Sequence, residues 1–142
     1  MTLTDKEVAF LQANPTAAMI TVGKDGYAKP IRIVFRIVDG KIWSSGNRNR
    51  VRTKRLLRDP RCTLYVHEPA FNFLALETTV TVLDNERTLD DSIRYFRQSQ
   101  ERPTGPLNWF GKEMTEDEFR DFLIKDERIL YEFNPVKFYG TY

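Results

Sequence analysis

The sequence predicts a mainly β fold of the α+β type: a small closed or half-closed antiparallel barrel of six strands with peripheral helices. Three observations predict it. Asp25-Gly26 and Asp39-Gly40 each separate segments of alternating polarity, which is the signature of antiparallel hairpins. The stretch 71–83 is long, aromatic and β-branched, as a strand that bends round a barrel tends to be. Helical periodicity is confined to short segments between the strands, and hairpins are incompatible with the βαβ units of a parallel sheet.

Thr4 and Glu7 form a capping box just ahead of Val8, Phe10 and Leu11, so a short helix opens the chain. The stretch 17–23 reads as the first strand, 28–38 as its antiparallel partner and 41–46 as the third strand of a meander. Asn49 is a candidate cap for a helix over about residues 51–58, stopped by Asp59-Pro60. Strands four and five follow at 62–67 and 71–83. Thr88 opens a helix with Leu89, Ile93 and Phe96 at helical spacing, running to about Ser99. The segment ERPTGPLNWFGKEM reads as a loop punctuated by Pro103, Gly105 and Pro106. A second capping box, Thr115 with Glu118, begins the last helix, and 128–142 alternates as a sixth strand interrupted at Asn134-Pro135.

A chain of 142 residues fits a single domain, 1–142, whose active site would need help from a partner subunit to become extensive. No run approaches the roughly 20 apolar residues of a membrane span. The N-terminus lacks the basic start and apolar stretch of a secretory signal, and the only cysteine, Cys62, cannot form an internal disulfide. A soluble, cytoplasmic protein is the expectation.

The net charge of +2 hides an asymmetry. Residues 48–61 hold Arg48, Arg50, Arg52, Lys54, Arg55, Arg58 and Arg61 against one acid, Asp59, leaving 15 basic and 19 acidic side chains elsewhere, a net −4. A protein that tracks a polyanion spreads its positive charge over a face or stripe, so this concentration favours a compact anion over nucleic acid or a membrane surface.

Catalytic groups are sparse. His67 is the sole histidine, which excludes a metal site built on several imidazoles and leaves a Ser-His-Asp triad one possible base. Strand alternation puts His67 opposite Cys62, on a rim, while Cys62 reads as a small buried hydrophobe. Neither a Walker loop nor a dinucleotide glycine fingerprint is present, so a phosphate would be held by side chains and a helix terminus. An enzyme with so few acid–base groups needs a cofactor to carry its reaction. The stretch 41–62 suits one: a strand delivers Ser44 and Ser45, a turn passes Arg48 and Arg50, and a helix begins with Arg52 and Lys54 in its first turn. Positive charge at a helix N-terminus opposes the macrodipole, and a bound anion would remove that conflict. The alternative is that these arginines are merely solvated or paired with acids elsewhere.

The order strand, Asp-Gly, strand, Asp-Gly, strand, then a basic helix ending in Arg-Asp-Pro-Arg and a hydrophobic strand, resembles the split β-barrel flavoproteins of the pyridoxamine 5′-phosphate oxidase-like superfamily. That superfamily includes an actinobacterial branch that uses the deazaflavin coenzyme F420. The resemblance covers about residues 5–83 and the closing strand 128–142. It places the family's phosphate-binding cation on Arg52, eight positions before Pro60, and the hydroxyl-bearing strand end on Ser44, Ser45 and Gly46. The family's Ser-Arg pair falls on Arg50 and Val51; Val51 departs from it, making Arg48 or Arg50 the substitute. PIRIVFR, 30–36, matches the strand along which the flavin ring lies, with Arg32 and Arg36 at basic positions and the backbone of Ile33 and Val34 facing the ring.

The resemblance implies hydride transfer between the ring and a small organic substrate, with cofactor bound near the interface of a homodimer and no metal. It does not extend to oxidation of a pyridoxine phosphate, because FNPVKFYGTY contains neither the Arg nor the His of the oxidase's C-terminal motif. FMN ends in one phosphate, whereas the deazaflavin continues into a tail of several carboxylates, and surplus charge at Arg48, Arg50, Lys54 and Arg55 favours the deazaflavin. The other readings are a non-catalytic flavin-binding or storage protein and a nucleic-acid-binding module built on 48–61. Trp109 and Phe110 could reach a cofactor or substrate from their loop, or serve packing or an interface.

Overall fold

The computed structural model describes residues 2–142. In chain order the elements are α1 (Asp5–Ala13), β1 (Thr16–Val22), β2 (Ala28–Val34), β3 (Arg36–Val38), β4 (Lys41–Asn47), α2 (Val51–Arg58), β5 (Arg61–His67), β6 (Phe73–Leu83), α3 (Thr88–Gln100), β7 (Leu107–Trp109), β8 (Lys112–Met114), α4 (Glu116–Lys125) and β9 (Arg128–Thr141). Seven strands form an antiparallel sheet in the order β2-β1-β5-β6-β9-β4-β3, and β7 pairs with β8.

The expected second strand, 28–38, is two. It breaks at Phe35: β2 pairs with β1 on one edge of the sheet and β3 pairs with β4 on the other. Its two halves therefore bring the sheet's opposite edges together and curl it into a split barrel. The expected meander is correspondingly divided at this corner, and the six expected strands become seven. Phe35, only 1% exposed, turns into the barrel, and its amide donates to the Pro15 carbonyl at 3.0 Å. The Asp39-Gly40 turn joins β3 to β4 with both residues at positive φ, as a two-residue hairpin requires.

The segment 107–114, read from sequence as loop, holds the β7–β8 hairpin. Arg50, not Asn49, is the N-cap of α2, and among the described residues no side chain caps it; Asn49 donates instead to Glu127. Arg87 precedes the first helical residue of α3, Thr88, whose hydroxyl accepts from the Asn85 amide at 2.8 Å. Both capping boxes form. The interruption expected at Asn134-Pro135 is a bulge in a continuous β9: Glu77 faces Lys137 but Thr78 faces Pro135, leaving Val136 as the extra residue where proline is tolerated.

Two apolar cores result. Inside the barrel, Leu11 of α1 closes over Met19, Phe35, Leu64, Leu74, Tyr131 and Phe133. Outside β4 and β9, helices α3 and α4 and the hairpin pack Tyr95, Phe96, Leu107, Phe119 and Leu123 against Trp43 and Leu130. The second core fixes what lies at the end of β4, next to the start of α2. Among the described residues no helix is long and apolar enough to cross a membrane.

Candidate functional site

The strand end 44–47 is held from three sides. Ser44, 2% exposed, donates its hydroxyl to the Val34 carbonyl at 2.7 Å, tying β4 to the last residue of β2 across the barrel corner. The same carbonyl accepts from the Tyr95 hydroxyl of α3 at 3.2 Å. Gly46 lies flat on the ring of Tyr131; a Cβ there would stand 2.4 Å from the ring carbon Cζ, which makes glycine obligatory. The Tyr131 hydroxyl, deep in the barrel, meets Thr53 Oγ1, and Thr53 Oγ1 donates to the Asn47 carbonyl at 2.7 Å. Barrel interior, strand end and first turn of α2 are thus one hydrogen-bonded unit, which fixes Arg50 and Arg52 relative to Ser45.

One guanidinium group reaches this strand end, and two more stand at the start of α2 close enough for their charge to act on it. Arg128, the first residue of β9, donates from Nε and Nη2 to Ser45 Oγ at 3.3 and 3.0 Å. Its side chain is 11% exposed, and its nearest carboxylate, Asp126, stands 3.7 Å away. Burial, together with the charges of Arg52 and Arg50 and against that of Asp126, holds its guanidinium below the ordinary arginine value. Among the described residues, Arg52 Nε is buried and has no hydrogen-bond partner. A buried guanidinium N–H without an acceptor, next to further cations, is an arrangement that an anion would satisfy.

The sequence-selected residues divide. Ser45 accepts from Arg128, Ser44 lies behind it on β4, and Arg50 and Arg52 flank the start of α2, where their charges act on Arg128. Arg48 points away, in a bidentate pair with Asp84 at 2.7 and 2.9 Å and a longer contact to Glu127 at 3.6 Å. Lys54 lies on the other side of α2, where it lines a groove of about 650 Å³ with Lys24, Asp25, Lys29, Arg55 and Arg58. On β2, Ile33 points into the core, while Val34 and Arg32 are exposed on the outer face. Arg32 borders a recess of about 480 Å³ with Thr16, Ala18, Pro30, Tyr65 and His67. Ala18 stands between Arg32 and Tyr65 in the sheet, so small side chains make the floor and larger ones the walls. His67 Nδ1 donates to the Glu68 carbonyl at 2.8 Å.

Sequence reading missed Arg128. No motif marks it, and only the antiparallel pairing of β4 with β9, which sets Asn47 opposite Arg128, carries it to the cluster. Among the described residues no group of three or more His, Cys, Asp or Glu side chains is placed to hold a metal ion. Cys62 is 4% exposed, and burial pushes its thiol up to about 12. A thiol reagent at neutral pH is therefore expected to label the native protein far more slowly than the urea-unfolded chain, as followed by absorbance. Labelling of the native protein at the unfolded rate would contradict the burial.

A curled antiparallel split barrel with a cationic strand–helix junction defines the class to which this molecule belongs. The chain is a member of the pyridoxamine 5′-phosphate oxidase family, whose model matches residues 3–121. Solved structures share the fold across nearly the whole chain. A conserved hypothetical protein of Mycobacterium tuberculosis superposes with a TM-score of 0.74 at 16% identity, covering 99% of this chain and 86% of that one. An F420 reductase matches with a TM-score of 0.67 at 12% identity over 96% of this chain and 98% of its own. The heme storage protein HutZ of Vibrio cholerae gives 0.67 at 15% identity over 99% and 96%. At these identities the likeness is one of fold. No curated protein matches the chain.

Proposed function

We propose that this protein is an oxidoreductase that binds the deazaflavin coenzyme F420, or FMN, and transfers hydride between the cofactor ring and a small organic substrate. The observation that carries the reading is the unpartnered, buried Arg52 Nε beside Arg50 and the desolvated Arg128. A phosphate there would take charge-assisted hydrogen bonds from guanidinium groups already held in place. The recess along β2 has a size suited to a planar ring, with Arg32, Tyr65 and His67 as its walls. Bound there, the cofactor would supply the hydride chemistry; the chain's residues orient it and keep water from the reacting face.

The deazaflavin is favoured over FMN by the groove beyond α2. Lys24, Lys54, Arg55 and Arg58 face it beyond the Lys29–Asp25 pair at 2.8 Å, more charge than one phosphate needs. In this assignment the acidic tail lies in the groove, and Arg48, engaged by Asp84, braces the turn before α2. Lys54→Glu combined with Arg55→Glu is expected to weaken deazaflavin binding by about tenfold or more and leave FMN binding within about twofold. An equal change in both affinities would remove the tail from the groove.

The cofactor would lie close to a second copy of the chain, because the recess opens beside exposed Val34, Tyr65 and Tyr139 on the outer sheet face. The charge distribution argues against a nucleic-acid module: of the basic side chains of α2, Lys54, Arg55 and Arg58 line the groove with the 23–29 turn, while Arg52 lies near Arg128. Protein purified from its native host should release, on denaturation, a chromophore with the spectrum and mass of one of the two cofactors. With an organic acceptor added it should reoxidise the reduced cofactor faster than the free solution reaction. Binding without that acceleration would make it a storage protein; a colourless protein that binds neither cofactor would overturn the reading.

A further inference from the structure

The Arg128 guanidinium is positioned by an aromatic ring as well as by Ser45. Its carbon Cζ lies 5.1 Å from the centroid of Trp109, within the range of a cation–π contact. Trp109 belongs to the β7–β8 hairpin and is locked there by Phe122 at 4.8 Å, Phe96 at 5.8 Å and Phe119 at 6.4 Å, rings contributed by α3 and α4. Arg128 therefore has the Trp109 ring, Ser45 Oγ and, at 3.7 Å, the Asp126 carboxylate as partners, and Arg52 and Arg50 as like-charged neighbours. Asp126 offsets part of its charge, and a guanidinium only 11% exposed and repelled by two others gains from a further support that adds no second carboxylate. An aromatic face provides that support and leaves the charge available.

We infer that Arg128 is a third ligand of the anion held by Arg50 and Arg52, and that Trp109 is the residue that positions it. This rests on the anion site proposed above and extends it to the segment 107–114, which ties the site to the outer core. It also makes Trp109 a reporter, since an anion drawn to Arg128 changes the electrostatic field at the indole. The chain has two tryptophans, and Trp43 is separately engaged, its Nε1 donating to Glu132 at 2.9 Å with Arg94 over its ring.

The test is a fluorescence titration with inorganic phosphate, with sodium chloride at matched ionic strength as control, read alongside calorimetry. Phosphate should change the emission of the wild-type protein, and chloride should not. Arg128→Ala should weaken binding by about tenfold or more, and Trp109→Ala by about three- to tenfold. Trp109→Phe, which keeps an aromatic face, should bind within about threefold of wild type while losing the emission change. Arg128→Lys and Trp109→Phe also serve where the alanine variants fail to fold: Arg128→Lys should bind measurably more weakly than wild type. If Arg52→Ala loses binding while the Arg128 and Trp109 variants bind like wild type, the anion site stands and this inference falls. If the wild-type protein binds no phosphate, both fall.

Discussion

Phe35→Ala is expected to lower the free energy of unfolding by about 3–5 kcal/mol, the range for a large aromatic truncated in a closed core. Phe35 is 1% exposed and sits at the one point where a single strand leaves one edge of the sheet and joins the other. Truncation empties the barrel interior against Leu11, Met19 and Leu64, and it loosens the corner at which Ser44 bridges to the Val34 carbonyl. Urea denaturation followed by circular dichroism measures the loss. A cost below about 1 kcal/mol would mean that the corner is not closed by core packing.

The second large effect is on binding. Arg52→Ala should weaken binding of the phosphorylated cofactor by about 1.5–3 kcal/mol, roughly 10- to 150-fold, through the loss of charge-assisted contacts. The same variant should keep wild-type stability within about 0.5 kcal/mol or gain some, because Arg52 Nε has no partner to lose and its charge repels Arg128. That combination separates a ligand-binding arginine from a structural one. A structural arginine would lose stability together with affinity, and calorimetric titration beside thermal melting distinguishes the two.

Much of the fold was legible because its signals are local. The Asp39-Gly40 turn, the Thr4–Glu7 and Thr115–Glu118 boxes and the alternation of β5 each depend on residues a few positions apart. What was not legible is carried by contacts distant in sequence or by strain. Nothing in the alternation of 28–38 breaks at Phe35, since the split arises from the closure of the whole sheet. The β7–β8 hairpin has three-residue strands, and its turn puts Phe110 rather than Asn or Asp at positive φ, followed by Gly111. Phe110 is 92% exposed, so neither hydrophobic pattern nor turn chemistry announces the hairpin.

The site shows the same division. Ser45, Arg50 and Arg52 lie within one short strand–turn–helix run, whose element boundaries are local signals. Arg48 shares that run, but Asp84, brought in from the end of β6, takes its guanidinium. Arg128 and Trp109 arrive through sheet pairing and the outer core, so their roles depend on the complete fold.

The most direct test of the central claim is a crystal structure of the protein with FMN or the deazaflavin bound. The phosphate is expected between Arg50, Arg52 and Arg128, with guanidinium-to-oxygen distances of about 2.7–2.9 Å and the ring along β2. A phosphate bound elsewhere, with Arg52 Nε still unpartnered, would contradict that claim.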